Sequence, residues 1–155
     1  QLKLGALYYS GQGSTQNYSK AIYWFKKAAD KGDKKAQYVL GLLYAKQGVT
    51  RDSSKAVYWF KKAAKQGDAL AQLWLGLSYA SGLGVIQDYQ EAYAWVSDAL
   101  SHELGATSQK NAENVRQSLH DNLLIEDKTG GELKHARLLA QQYHQKYSSQ
   151  SDHND

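Results

Sequence analysis

The side chains that could carry out metal or acid–base chemistry are sparse in this sequence. Five histidines are present: His102, His120, His135, His144 and His153. No two of them stand four residues apart, and no His-Glu-x-x-His motif occurs, which excludes the zinc arrangement of helical metalloproteases. Glu132 and His135 are three residues apart, but the second half of a metal site is missing. The sequence therefore predicts no metal ion and no cofactor.

Nucleophilic and nucleotide-binding motifs are missing as well. Cysteine is absent from the 155 residues, which excludes disulfides, thiol nucleophiles and cysteine metal ligands. The glycine pairs GQG and GLG lack a third glycine and follow a predicted helix, so they are not phosphate-binding loops. The carboxylates Asp88, Glu91 and Asp98 lie within one segment without an obvious acid–base pairing. We expect a protein without enzymatic activity.

The dominant feature is an internal repeat. AIYWFKKAAD at 21–30 returns as AVYWFKKAAK at 56–65, which is 35 positions later. Glycine and tryptophan keep nearly the same spacing through three copies, at Gly5, Gly41 and Gly76 and at Trp24, Trp59 and Trp95. A period of this length is typical of stacked supersecondary units that bury a common core.

Each copy reads as two helices. In the second copy, the first helix carries Ala36, Leu40 and Tyr44 on one face and ends at a glycine-bearing loop. Good N-terminal caps precede the second helix in the three copies, at Asn17, Asp52 and Asp88. Small residues such as Gly41 and Ala56 would let helix backbones approach closely. We expect the three repeated tryptophans to lie in the core and the Lys-Lys pairs to face solvent.

The C-terminal third lacks the repeat. Residues 108–125 form an amphipathic helix pattern, and a capping box at Thr129 and Glu132 predicts a second helix to about Tyr147. The two helices are expected to cap the last repeat. The predicted divisions are repeats at 1–35, 36–70 and 71–105, a capping hairpin at 106–147 and a disordered tail at 148–155. The first helix appears shortened against its copies, so further residues are expected upstream.

These repeats resemble the Sel1-like repeat, a relative of the tetratricopeptide repeat. The second copy carries the pattern at Leu40, Gly41, Tyr44, Asp52, Ala56, Trp59, Lys62 and Gly67. The third copy departs at its end, where VSDALSHELG replaces the usual Lys-Ala-Ala-x-x-Gly. The resemblance implies an all-α, right-handed α/α superhelical solenoid with a concave binding groove and no shared catalytic residues. It also implies a periplasmic or secreted location, with a cytoplasmic one left open.

Charge is distributed unevenly along the chain. Residues 1–68 hold 13 Lys and Arg against 4 Asp and Glu, whereas residues 69–155 hold 6 against 11. The lysines are scattered over both helices of each repeat and no nucleic-acid module appears, so an acidic protein or peptide partner is favoured over nucleic acid. No apolar run approaches the length of a membrane-spanning helix, and membrane insertion is not expected.

A partner would be recognised at positions of the first helices that vary between copies. These candidate binding residues are Lys3, Leu7, Tyr38, Val39, Leu43, Leu73, Trp74 and Ser78. Trp74 is the strongest candidate, since binding hot spots favour tryptophan, although it could instead pack under the C-terminal hairpin. Lys35 and Arg51 are expected at the polar rim.

These observations predict a non-enzymatic scaffold or adaptor that binds a protein or peptide in the concave groove. A narrower hypothesis is an immunity protein that neutralises a secreted bacterial toxin. A third hypothesis is an envelope-glycan or cell-wall binding factor, which would need a cleft with paired carboxylates.

Overall fold

The computed structural model describes residues 1–11, 17–46, 51–126 and 131–148, and these ranges contain eight α-helices and no strand. The helices are α1 (Leu2–Ser10), α2 (Tyr18–Ala29), α3 (Lys34–Ala45), α4 (Ser53–Ala64), α5 (Ala69–Ser81), α6 (Tyr89–Leu100), α7 (Ala106–Glu126) and α8 (Gly131–Tyr147). Each of the first five helices packs mainly against its neighbours in the chain, whereas α6 packs on α5, α7 and α8. The predicted all-α solenoid is confirmed.

Side-chain caps fix where the helices begin. The predicted caps Asn17, Asp52 and Asp88 each accept a hydrogen bond from a backbone N–H at the start of α2, α4 or α6. Asp33 and Asp68 do the same for α3 and α5, at 2.9 and 2.8 Å. Because a cap satisfies an otherwise unpaired helix N–H, these five residues fix the first turn of α2 to α6.

The repeated tryptophans lie in the seams between hairpins. Trp59 of α4 is buried in the cluster formed with α2 and α3, and Trp95 of α6 is buried in the cluster formed with α4 and α5. Each of them packs onto the preceding repeat, so the core prediction is confirmed for both. Trp24 is only half-buried, because the described chain places no hairpin before α2.

Glycine permits the closest helix approach in every hairpin. Gly5 and Gly41 face the rings of Phe25 and Phe60, and Gly76 faces Val96. A Cβ added at Gly5 would stand 2.8 Å from the Phe25 ring, well inside ordinary contact distance. The predicted role of small residues in close packing is therefore borne out in all three repeats.

Gly41→Ala is expected to destabilise the protein. Alanine has a helix-propensity advantage over glycine of about 1 kcal/mol, but overpacking a tight contact costs about 1–3 kcal/mol. We expect the cost of overpacking to exceed the gain in helix propensity, because the new methyl group would meet the buried Phe60 ring. Urea unfolding measures the difference, with Gly105→Ala as control because nothing lies within 4 Å of its added Cβ. A stabilised Gly41→Ala protein would contradict the prediction.

The two C-terminal helices cover the third repeat from different sides. α7 packs on α6 and encloses a cluster that includes Leu73, Ala112 and Leu119. α8 also packs on α6 rather than mainly on α7, and its Tyr143 and Tyr147 rings lie 4.4 and 5.4 Å from the Trp95 ring. α8 ends where the sequence predicts. The predicted cap Thr129 and residues 149–155 of the predicted tail lie outside the described residues.

Candidate functional site

An apolar groove of about 590 Å³ opens along the first helices of the repeats. Its apolar lining comes mainly from α1, α3 and α5, with Leu2, Ala6, Val39, Leu42, Leu43 and Trp74, and includes Phe25 of α2. These helices present their varying faces to the groove, because their invariant faces are used for packing against α2, α4 and α6. We call this cavity the concave groove.

Trp74 stands at the end of the groove and is held there by the core. Its ring stacks on Phe60 with centroids 5.9 Å apart and an interplanar angle of 11°, and Phe60 is only 1% exposed. The other side of Trp74 is open, and 38% of the residue remains accessible. Tryptophan is among the residue types that are enriched at binding hot spots.

A smaller cavity of about 150 Å³ adjoins the same tryptophan. Arg51, Ser78 and Leu83 line it together with Trp74. Since Trp74 lines both cavities, a bound segment that passes over its ring would reach from α1 to the loop after α5.

The charged groups beside the groove are cationic. Lys35 and Lys46 line it, and no acidic residue does so in the described part of the chain. The Lys46 ammonium lies 5.3 Å from the centre of the Tyr18 ring and 6.0 Å from that of Tyr9, which holds it by cation–π attraction. The groove therefore combines an apolar floor with positive charge at its edge.

Tyr38 borders this region without lining either cavity. It is half-buried against Phe60, with ring centroids 6.3 Å apart. Burial raises the pKa of the Tyr38 hydroxyl above its ordinary value, so the group stays neutral at physiological pH. Tyr38 supports the floor of the site through Phe60.

The structure places the predicted binding residues in different surroundings. Val39, Leu43 and Trp74 come together in the groove, where Leu43 is only 4% exposed. Ser78 lines the adjoining cavity. Lys3 and Leu7 are exposed on α1 but line neither cavity. The predicted rim residues Lys35 and Arg51 line one cavity each.

Leu73 does not lie on the groove. It is 7% exposed and packs in the cluster beneath α7, together with Ala112 and Leu119. The sequence placed it with Tyr38 because both occupy the same repeat position. That surface of the third repeat is covered by a helix that has no counterpart in the second repeat.

Sequence reasoning missed several groove residues, among them Tyr9 and Lys46. A signal for Tyr9 was present, since the other two copies have Ala45 and Ala80 at its position. Position-by-position comparison of the copies therefore identifies Tyr9 as a varying aromatic residue. Lys46 follows the last helical residue of α3, where a helix-face argument does not apply.

Two of the three carboxylates considered for catalysis have structural roles, and the third is buried. Asp88 caps α6, Glu91 accepts hydrogen bonds from Tyr143 and the Trp95 indole, and Asp98 is buried. The described ranges contain no group of three or more His, Asp or Glu side chains arranged to hold a metal ion. No helix among the described residues is long and apolar enough to cross a bilayer.

Comparison with known proteins places these observations in a family. The family model described as "Sel1 repeat" matches residues 1–33, 34–68 and 69–99. A solved Sel1 repeat protein from Oxalobacter formigenes is 33% identical, with a TM-score of 0.63, over 73% of this chain and 85% of that one. No curated protein matches.

A second solved structure covers more of the chain. It is c5321, described as a protective antigen present in uropathogenic Escherichia coli strains and displaying an SLR fold, and it is 29% identical with a TM-score of 0.58. The match covers 97% of this chain and 38% of c5321. The chain thus spans well under half the length of that protein.

Proposed function

The chain belongs to the Sel1 repeat family, and from this premise we propose that it is a non-enzymatic scaffold that binds a segment of a partner protein in its concave groove. Sel1 repeat proteins generally mediate protein–protein interaction. The observation that carries the groove assignment is Trp74, a core-anchored tryptophan whose open face lines two adjoining cavities. A periplasmic or secreted location belongs to the proposal through the family resemblance alone.

The physical basis is burial of apolar surface on a preformed site. Phe60 fixes the Trp74 ring, so little conformational freedom is lost when a partner side chain covers it. Bulky apolar side chains fit the floor formed by Val39 and Leu42. The preformed shape favours binding without rearrangement of the backbone.

The charge at the groove edge selects the partner further. Lys35 and Lys46 line the groove without an acidic counterpart in the described part of the chain. Complementary charge raises association rates and disfavours cationic partners. The proposed ligand is therefore a peptide segment that carries bulky apolar residues next to aspartate or glutamate.

A random peptide display library tests this assignment. We expect selection on the full chain to enrich apolar segments flanked by acidic residues. Trp74→Ala should weaken the enriched peptides by about 30-fold, since hot-spot truncation costs about 2 kcal/mol or more. Titration calorimetry measures the affinities, and Tyr58→Ala is the matched control because Tyr58 is an exposed aromatic residue that lines neither cavity.

Two outcomes would count against the proposal. Peptides that bind Trp74→Ala as tightly as the unchanged protein would remove the groove assignment. Enrichment of basic peptides would remove the assigned partner chemistry. A natural partner that forms a stable stoichiometric complex and loses toxicity on binding would narrow the function to that of an immunity protein.

A further inference from the structure

A buried carboxylate lies where α8 meets the third repeat. Asp98 of α6 is 1% exposed, and its Oδ2 atom accepts a hydrogen bond of 2.8 Å from the Gln72 amide. Its Oδ1 atom has no hydrogen-bond partner among the described residues. An ionised carboxylate in such surroundings is costly unless a positive charge or a donor reaches it.

Two imidazoles face this unpartnered oxygen. The His102 Nε2 atom is 4.0 Å from Asp98 Oδ1 and also lacks a partner in the described ranges. The His144 Nδ1 atom, which belongs to α8, lies 3.6 Å from the same oxygen and 2.9 Å from the Ser101 hydroxyl. The cluster therefore joins α8 to the end of α6 through groups that can hold a proton.

The repeat itself does not require this cluster. Lys62 and Gln66 occupy the positions of Asp98 and His102 in the second repeat. Lys62 turns outward over the Tyr58 and Trp59 rings, and Gln66 donates a hydrogen bond to the buried Gln37. The third repeat thus exchanges a cation and an amide for an acid and an imidazole at the place where α8 docks.

We propose that Asp98, His102 and His144 form a proton-operated latch that tightens α8 on the third repeat when the pH falls. A proton taken up by the cluster converts an unpartnered imidazole nitrogen or carboxylate oxygen into a donor aimed at its neighbour.

The direction of the pH effect follows from the buried carboxyl group. Burial raises the pKa of Asp98, and the two neighbouring histidines oppose that rise. A carboxyl whose pKa is raised on folding stabilises the folded state at low pH, and this contribution is lost as the pH rises through the folded value.

Other groups at the α8 contact have different pairings. From α5 only the neutral Gln72 bonds to Asp98, and on α6 the Glu91 carboxylate accepts from Tyr143. From α7, His120 lies 3.3 Å from Arg137 of α8 and 3.4 Å from Asp121. Protonated His120 would repel Arg137 and oppose the latch. A variant at Asp98 therefore separates the latch from this second histidine.

Hydrogen exchange on the full chain tests the latch. After correction for the intrinsic pH dependence of exchange, amides of α8 should become about three- to tenfold better protected at pH 5.5 than at pH 8. Amides of α2, far from the cluster, should not change. Asp98→Asn keeps a side chain of the same shape and should abolish the difference, and the exposed His144→Asn should reduce it.

Three results would overturn the latch. The first is equal or greater protection of α8 at pH 8. The second is a pH difference that survives in both Asp98→Asn and His144→Asn. The third is a difference that disappears with a chelator, which would assign the effect to a metal ion. Because His144 is half-exposed, its variant provides a reading even where Asp98→Asn unfolds.

Discussion

Trp95→Ala is expected to lower the free energy of unfolding by about 3–5 kcal/mol, the usual cost of removing a fully buried large aromatic side chain. Trp95 is 2% exposed, and its ring lies against Tyr143 and Tyr147 of α8 while it also closes the seam with the second repeat. Its indole N–H donates to Glu91 at 3.1 Å, and the same carboxylate accepts from Tyr143. The substitution therefore removes a repeat contact and an α8 contact together.

Urea unfolding of the three repeat-equivalent tryptophan variants provides the measurement. Trp59→Ala is expected to approach the cost of Trp95→Ala, because Trp59 is also buried in a seam. Trp24→Ala should cost clearly less, since Trp24 is half-buried and has no preceding hairpin in the described chain. A Trp24 variant as damaging as the Trp95 variant would show that burial in the seam does not set the energy.

The repeats were predictable because sequence identity between copies reports a shared packing environment. Gly41 and Trp59 recur with their spacing, which indicates an equivalent packing position in each repeat. The caps Asn17, Asp52 and Asp88 follow from local chemistry, since each needs only its own helix N-terminus. Interactions of short range or regular period can be inferred from one sequence.

The placement of α7 and α8 could not be inferred in the same way. Neither helix has a copy elsewhere in the chain, so no internal comparison shows which surface it covers. Leu73 was assigned to the groove for this reason, although it lies beneath α7. The third repeat has Asp98 where the second has Lys62, and the sequence shows this change of charge. The environment of Asp98 depends on α8, which packs on that face.

The candidate site could be predicted from the sequence only in part. Val39 and Trp74 were identified because the positions vary while the helix is repeated, and both line the groove. Leu43 lines it as a nearly buried floor residue rather than as an exposed contact. Helix periodicity gives the direction of a side chain, whereas its accessible surface depends on neighbours such as Phe60, whose stack with Trp74 joins different repeats.

Phe60→Ala is expected to cost about 3–5 kcal/mol of stability and also to weaken binding in the concave groove. Phe60 is 1% exposed and fills the space against Gly41 on one helix and Trp74 on another. Its removal leaves a cavity and takes away the surface that holds the Trp74 ring. We therefore expect a peptide selected on the unchanged protein to bind the variant at least tenfold more weakly at a temperature where the variant is folded.

A double-mutant cycle with Gly41→Ala shows whether the ring and the glycine are coupled as the structure indicates. In the unchanged protein the alanine methyl group would meet the Phe60 ring, which is why Gly41→Ala should be destabilising. In the Phe60→Ala background the ring is gone, so the same methyl group should fill part of the cavity and be neutral or stabilising. We expect a coupling energy of about 1–3 kcal/mol between the two positions from urea unfolding. If Gly41→Ala cost the same in both backgrounds, the close approach of α3 and α4 would not depend on this glycine–aromatic contact.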